Sequence, residues 1–347
     1  MLQDSTAFGP AAWCYCGATD KRSGCTPPII DRMHLLIPFA SALSDAAAHV
    51  LRDLSLPNLS KLLSRLTPAS TDEADEYSLS PPHERALAAA RGWKGADGLL
   101  PFAAHAAAAD GIAVGDLAWG LVTPTHWHVA RDHVSLADPA ALALTDDESR
   151  AAFEAVRDLF ESEGLRAEWG AATRWYVAHD SLADLPCASL DRVIGRNVEL
   201  WMRPGANPQG KLFRRLQSEV QLLMYPHPIN EVREANGQLT LNSLWLNGCG
   251  RFQPSGESSL QIDDSLRAPL LSEDWAGWAE AWRTLDAQTL PGLVDAAQRG
   301  QPVALTLCGE RSTRRFESAS PSAGPSLWQK LARRWNPVEP HTVLETL

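Results

Sequence analysis

Leu223–Gly250 reads LMYPHPINEVREANGQLTLNSLWLNGCG, and its interpretation governs that of the whole chain. Pro226 and Pro228 end a helix sharply and hold His227 in an extended bend, because the residue before a proline is pushed out of the helical region. Asn230 and Arg233 follow three residues apart, on one side of a helical turn. Asn242 then enters a strand, TLNSLWLNG, that runs into Gly248-Cys249-Gly250, where missing side chains let backbone amides approach an anion. An arginine fork suits phosphate or carboxylate, and asparagine supplies both a donor and an acceptor. Two readings are open from these residues: a structural turn, or a site in which His227, Asn230, Arg233, Asn242, Gly248 and Gly250 hold a small anion.

Immediately upstream, NPQGKLFRRLQSEVQLLM places Leu212, Leu216, Val220 and Leu223 at helical spacing. Before it, LAWGLVTPTHWHVARDHVSLADP is β-rich, and TDDESRAAFEAVRDLFESEG is a helix opened by a Thr145–Glu148 capping box and stopped at Gly164. LRAEWG and TRWYVAH predict a hairpin around Gly170 to Ala172. Together these predict an α+β subdomain over residues 112–205. Nearer the start, MHLLIPFA opens at Met33 as a buried strand, and SDAAAHVLRDLSLPNLSKLLSRL reads as two helices divided at Pro57, the second capped by Asn58. TPASTDEADEYSLSPP reads as an acidic loop, and two Ala-rich helices end at Gly92 and Gly111. Beyond Gly250, SEDWAGWAEAWRTL and TLPGLVDAAQRG predict helices, PVALTLCGE a strand, and SLWQKLARRW a final helix. Helices and strands alternate at both ends, which predicts an α/β core built from residues 33–111 and 206–347 around the inserted subdomain. Residues 1–32 lack any period and are expected to be a disordered extension or an overlong start.

A chain of 347 residues that is 45% hydrophobic can bury a large core. A net charge of −11 and a pI near 5.4 argue against nucleic acid and anionic membrane as partners, since repulsion opposes each encounter. The cysteines at 14, 16, 25, 187, 249 and 308 are scattered, which argues against a zinc ribbon and points to a reducing compartment, the cytoplasm. No stretch approaches the roughly 20 apolar residues of a membrane helix.

Two further patterns carry alternatives. In THWHVARDHV, His126 and His128 fall on one face of a strand and suit a transition metal, while His133 falls at an odd separation and faces away. Structural or ligand-binding histidines flanking Trp127 are the competing reading. Trp275, Trp278 and Trp282 form a helical stripe, as do Trp328 and Trp335, suited to a core or self-association face or to a stacking platform.

The pattern HPIN, Arg233, Gly237 and NSLWLNGCG is similar to a segment of the archaeal-type, cofactor-independent phosphoglycerate mutases. Over Met33–Leu347 the chain resembles the RpfE-type regulatory proteins of proteobacteria, on MHLLIPFA, GLVTPTHWHV, SLDRVIGRNVELWM, LQSEVQLLMYPHPIN and NSLWLNGCG. The resemblance implies an α/β fold with an alkaline-phosphatase-like core sheet and an inserted α+β subdomain. It also implies chemistry at a Ser or Thr between two divalent metals held by Asp and His. Here, however, HLLIPFASALSD delivers Pro38, Phe39 and Ala40 where a metal-binding Asp-Gly turn belongs, and no histidine separates His227 from His341. Asp263, Asp264, Asp286 and Asp295 alone do not assemble two metals without a change of ligand type. The mutases also carry Arg where Asn247 stands. The expectation is therefore a binding or regulatory protein of this type, with no metal or other cofactor, whose ligand is a small anionic, phosphorylated metabolite. The alternatives are an active metal-dependent phosphomutase or phosphatase with an atypical site near His126 and His128, or an interaction module using Trp275, Trp278 and Trp282.

Overall fold

The computed structural model describes residues 33–202, 208–256, 259–318 and 338–347. Readings placed on residues 1–32 and on the Trp328–Trp335 helix lie outside them. Arg32–Leu347 is one compact unit. Its strands are β1 Met33–Ile37, β2 Thr67–Glu73, β3 Ala118–Thr125, β4 Trp127–Val129, β5 Val134–Leu136, β6 Arg166–Ala171, β7 Arg174–Ala178, β8 Ser243–Arg251, β9 Leu260–Ile262, β10 Val303–Cys308 and β11 Ser312–Glu317.

A five-stranded mixed sheet runs in the order β2-β11-β10-β1-β9, with β1 parallel to both β10 and β9. The continuous apolar runs HLLI and VALTLC are buried throughout, as parallel strands covered on both faces require. Alternation divides them: Leu35, Ile37, Val303, Leu305 and Leu307 join the core beneath helices 45–53, 57–63, 275–288 and 290–298. On the opposite face, His34 Nε2 and Thr306 Oγ1 lie 2.9 Å apart. Helix Pro82–Arg91 packs against β1, β10 and β11.

The acidic stretch read as a loop is in part the edge strand β2, which pairs antiparallel with β11. Its residues are nearly all exposed, so no apolar alternation marks it, and main-chain hydrogen bonding makes the strand. Asp72 and Glu73 leave this edge charged, which discourages further pairing. Asn58, expected to cap its helix, lies inside helix Pro57–Leu63 instead. The buried Asp286 carboxylate accepts from Leu59 N at 2.7 Å and Asn58 N at 3.2 Å, so the cap comes from across the core.

The second sheet is antiparallel, in the order β6-β7-β3-β8. β8 pairs with β3 from Ala118↔Arg251 to Thr125↔Ser243, so this sheet combines residues from both sides of position 205. Phe153, Val156 and Phe160 of helix Asp146–Ser162 pack on it, with Leu216, Val220 and Met224 of helix Pro208–Met224. The buried stripe of the latter keeps a spacing of four and ends on Met224, whereas Leu223 is exposed. The Thr145–Glu148 capping box forms as read.

Trp278 and Trp282 are fully buried in the main core, and the Trp275–Trp278 and Trp278–Trp282 rings meet edge to face at 6.2 and 6.5 Å. Trp278 Nε1–H donates to Phe39 O at 3.1 Å. The stripe is thus part of the core, and its two central rings are inaccessible to a stacked ligand or docked partner. We expect Trp282→Ala to cost about 3–5 kcal/mol, and the partly buried Trp275→Ala clearly less, when urea unfolding is followed by circular dichroism. Equal, near-zero costs would contradict the assignment.

Candidate functional site

The Leu223–Gly250 segment folds into a clamp whose polar side chains bind protein. His227 caps helix Pro228–Ala235, its Nδ1 accepting from Ile229 N at 3.3 Å. Asn230 is buried: Nδ2 donates to Met224 O at 2.8 Å and Leu241 O at 2.7 Å, and Oδ1 accepts from Leu241 N at 2.9 Å. It thereby ties the end of one helix to the entry of β8. Arg233 is 0% exposed. Its Nε donates to Leu239 O at 2.6 Å, Nη1 to Glu148 Oε1 at 2.9 Å and Nη2 to Leu142 O. Glu148 meanwhile closes the capping box through Oε2, so one carboxylate serves both a helix terminus and a buried guanidinium. Asn242 imitates a strand residue, accepting from Trp127 N at 2.7 Å and donating to Trp127 O at 3.0 Å.

The glycines have an equally architectural role. A Cβ on Gly248, which sits at φ +65°, would lie 3.0 Å from Ala103 N, and one on Gly250 would lie 3.1 Å from Pro101 Cα. Their bareness admits the start of helix Phe102–Ala109 against β8. Of His227, Asn230, Arg233, Asn242, Gly248 and Gly250, the structure thus engages the polar groups with protein atoms, Asn230 and Arg233 buried and His227 and Asn242 half-buried, and sets the start of a helix against the two glycines.

His126 and His128 do approach one another, with ring centroids 4.6 Å apart. His126 Nδ1 meets Thr240 O at 2.8 Å; burial lowers its pKa from the usual value, the hydrogen bond to Thr240 opposes this, and His128 adds to the lowering. His133 pairs with Asp132 at 2.8 Å in the exposed β4–β5 hairpin. Among the described residues no group of three or more His, Cys, Asp or Glu is arranged to hold a metal ion.

The ligands that the mutase resemblance calls for do not fit either. β1 is followed by Pro38, Phe39 and Ala40, Asp286 is the helix cap described above, and Asp263 is bound by Ser265 and Thr289. A different set of charges gathers at the carboxyl ends of β1 and β10, the edge of a parallel sheet where ligands commonly bind. Phe39, with φ at 57°, packs on the His83 ring at 4.8 Å. His83 Nε2 lies 3.1 Å from Asp191 Oδ2, and Arg267 donates to Asp191 Oδ1 at 2.6 Å and to Asp138 Oδ2 at 3.2 Å. Burial acts to raise the Asp191 carboxyl, but His83 and Arg267 outweigh it and hold it at about 2. Ser189 Oγ–H donates to Glu84 Oε1 at 2.6 Å, and burial raises Glu84 to about 7.

Beside them Arg192 is 2% exposed and hydrogen-bonds two uncharged oxygens, Glu310 O at 2.9 Å and Ser78 Oγ at 2.8 Å. Among the described residues its Nε has no hydrogen-bond partner. Burial, then the like charges of Arg196 and Arg85, lower it to about 10, against the opposing carboxylates of Glu310 and Asp97. Arg196 pairs with Glu310 Oε1, while Glu310 Oε2 accepts from Leu43 N at 2.9 Å. Leu43 adjoins a cleft of roughly 570 Å³ whose charged lining is mixed, Arg311 and Arg52 with Asp45, Glu73 and Glu345, the last paired with Arg52 at 2.6 Å. The signals available in sequence were the His-Glu-Arg run after Pro81-Pro82 and the Asp191, Arg192, Arg196 spacing, but nothing local joins positions 108 residues apart, as His83 and Asp191 are.

No protein-family model and no curated protein matches the chain. Similar solved structures include the PH0037 protein from Pyrococcus horikoshii, at 12% identity and a TM-score of 0.44 over 84% of this chain and 88% of that one. A cofactor-independent phosphoglycerate mutase from Thermoplasma acidophilum is similar at 13% identity and a TM-score of 0.34, over 91% and 99%.

Removing Arg233 leaves Leu239 O, Leu142 O and the partly exposed Glu148 without their donor, so Arg233→Ala should cost about 2–4 kcal/mol in urea unfolding; a cost below about 1 kcal/mol would refute the clamp. Glu84 also predicts a pH effect. Its folded pKa is raised from 4.5 to about 7, so its contribution is fully present below pH 4.5 and is lost as pH rises through 7. Glu84→Gln should flatten the fall in melting temperature across that window, and an unchanged profile would count against the assignment.

Proposed function

We propose that this chain is a phosphoglycerate-mutase-like protein of the RpfE type that binds a small anionic, phosphorylated metabolite at the carboxyl ends of β1 and β10, in a regulatory role and without a dimetal centre. The observation that carries the reading is Arg192. A buried guanidinium pays a large desolvation cost, which a carboxylate or another anion ordinarily offsets. Here its hydrogen-bond partners are uncharged, and Arg196 and Arg85 each weigh on it more than either nearby carboxylate, Glu310 or Asp97. An anion in this position would relieve both the desolvation and the repulsion.

Glu310 already behaves as an internal anion, bridging Arg196 and the Leu43 amide at the cleft. A phosphate that displaces that carboxylate from Arg196 gains charge-assisted, bidentate hydrogen bonds. The arrangement binds and orients an anion. His83, Asp191 and Arg267 hold one another and keep the walls of the cluster in place.

Isothermal titration with inorganic phosphate and a panel of three-carbon phosphorylated acids tests this directly. At least one member is expected to bind at micromolar to submillimolar strength, and Arg196→Gln should weaken it tenfold or more, corresponding to about 1.4 kcal/mol. Absence of binding across the panel, or equal affinity in the variant, would refute the assignment.

A further inference from the structure

We propose that Cys187 and Cys249 form a modification site at which a small hydroperoxide produces a reversible intramolecular disulfide. The two are 62 residues apart in sequence, yet their sulfurs stand 3.7 Å from one another. A disulfide needs about 2 Å, so closure requires a sulfur movement of about 2 Å. That movement falls to Cys187, the half-buried partner, because Cys249 is fully buried and closely packed. Cys249 lies between Gly248 and Gly250 on β8, and its sulfur reaches to 3.2 Å from the position a Cβ would take on Gly120 of the facing strand, a place only a glycine leaves to it. Cys187 sits in the loop after Asp180–Asp184, its N–H held by Gly98 O at 3.0 Å and its thiol by a long contact to Leu185 O at 3.5 Å, which closure would give up.

Cys187 also lines an apolar cavity of roughly 100 Å³ with Leu185, Trp201, Phe213 and Leu246. A water molecule takes about 30 Å³, so a peroxide fits in this space. The hydrogen bond with Cys187 and burial both keep the Cys249 thiol protonated, which makes the half-buried Cys187 the first to react. Its thiolate attacks one peroxide oxygen, the O–O bond breaks, and a sulfenic acid and one water result. The Cys249 sulfur then attacks the Cys187 sulfur, the S–S bond forms, the S–O bond breaks, and a second water leaves with the Cys249 proton. Two thiols lose two electrons in total, and one hydrogen peroxide is reduced to two waters.

This inference is independent of the anion reading, although Cys187 lies two residues before Ser189 and five before Arg192 on the same segment, so closure would tether that segment to β8. The test treats the reduced full chain with one equivalent of hydrogen peroxide, then maps disulfides by mass spectrometry after digestion under acid. A linked Cys187–Cys249 peptide is expected, with two thiols lost and recovered by dithiothreitol; Cys187→Ser and Cys249→Ser should lack it and Cys308→Ser should retain it. Accumulation of Cys187 sulfinic acid with Cys249 still free, linkage to another cysteine, or no thiol loss would overturn it.

Discussion

A single buried cation, Arg233, sets the terms for half of the molecule. Taking a guanidinium out of water is tolerable only when anions and carbonyls surround it. Here Glu148, Leu142 O and Leu239 O do so, which fixes the start of helix Asp146–Ser162, the preceding turn and the approach to β8 at one point. Asn230 and Asn242 extend the same knot to the end of helix Pro208–Met224 and to the β3–β4 junction. With β8 held on the edge of the antiparallel sheet, Gly248 and Gly250 can receive helix Phe102–Ala109. A motif with the residue types of an anion site is thus consumed in joining elements that lie far apart in sequence.

The contrast between Arg233 and Arg192 locates the functional reading. Both are buried, but one hydrogen-bonds a carboxylate and the other uncharged oxygens, with Glu310 and Asp97 acting on it only at longer range. The difference lies in compensation rather than depth, and it moves the expected anion from the clamp to the carboxyl edge of the parallel strands. Glu310 links that edge to a polar cleft, and the neighbouring Glu84 titrates near neutrality because burial penalises its charge.

Much of the fold was legible where local physics decides. β1 and β10 announce themselves as short continuous apolar runs, the Thr145–Glu148 box fixes a helix start, and Gly164 marks its end at φ +76°. β2 was illegible, since an exposed edge strand is held by its neighbour's backbone and carries no side-chain pattern. The grouping of His227, Asn230, Arg233 and Asn242 as one unit could be read, but its target could not, because Glu148 and Trp127 lie about a hundred residues upstream. The same holds for the charged cluster at His83 and Asp191 and for the two thiols, which only the folded chain brings together.

The central claim is that anion binding belongs to Arg192 and not to Arg233. The most direct measurement is a phosphate titration of isotopically labelled protein followed through the arginine Nε–H resonances in heteronuclear spectra. The account predicts that the Arg192 resonance, whose Nε is unpartnered, shifts in a saturable manner while that of Arg233 stays fixed. A saturable shift at Arg233, with Arg192 unmoved, would contradict it.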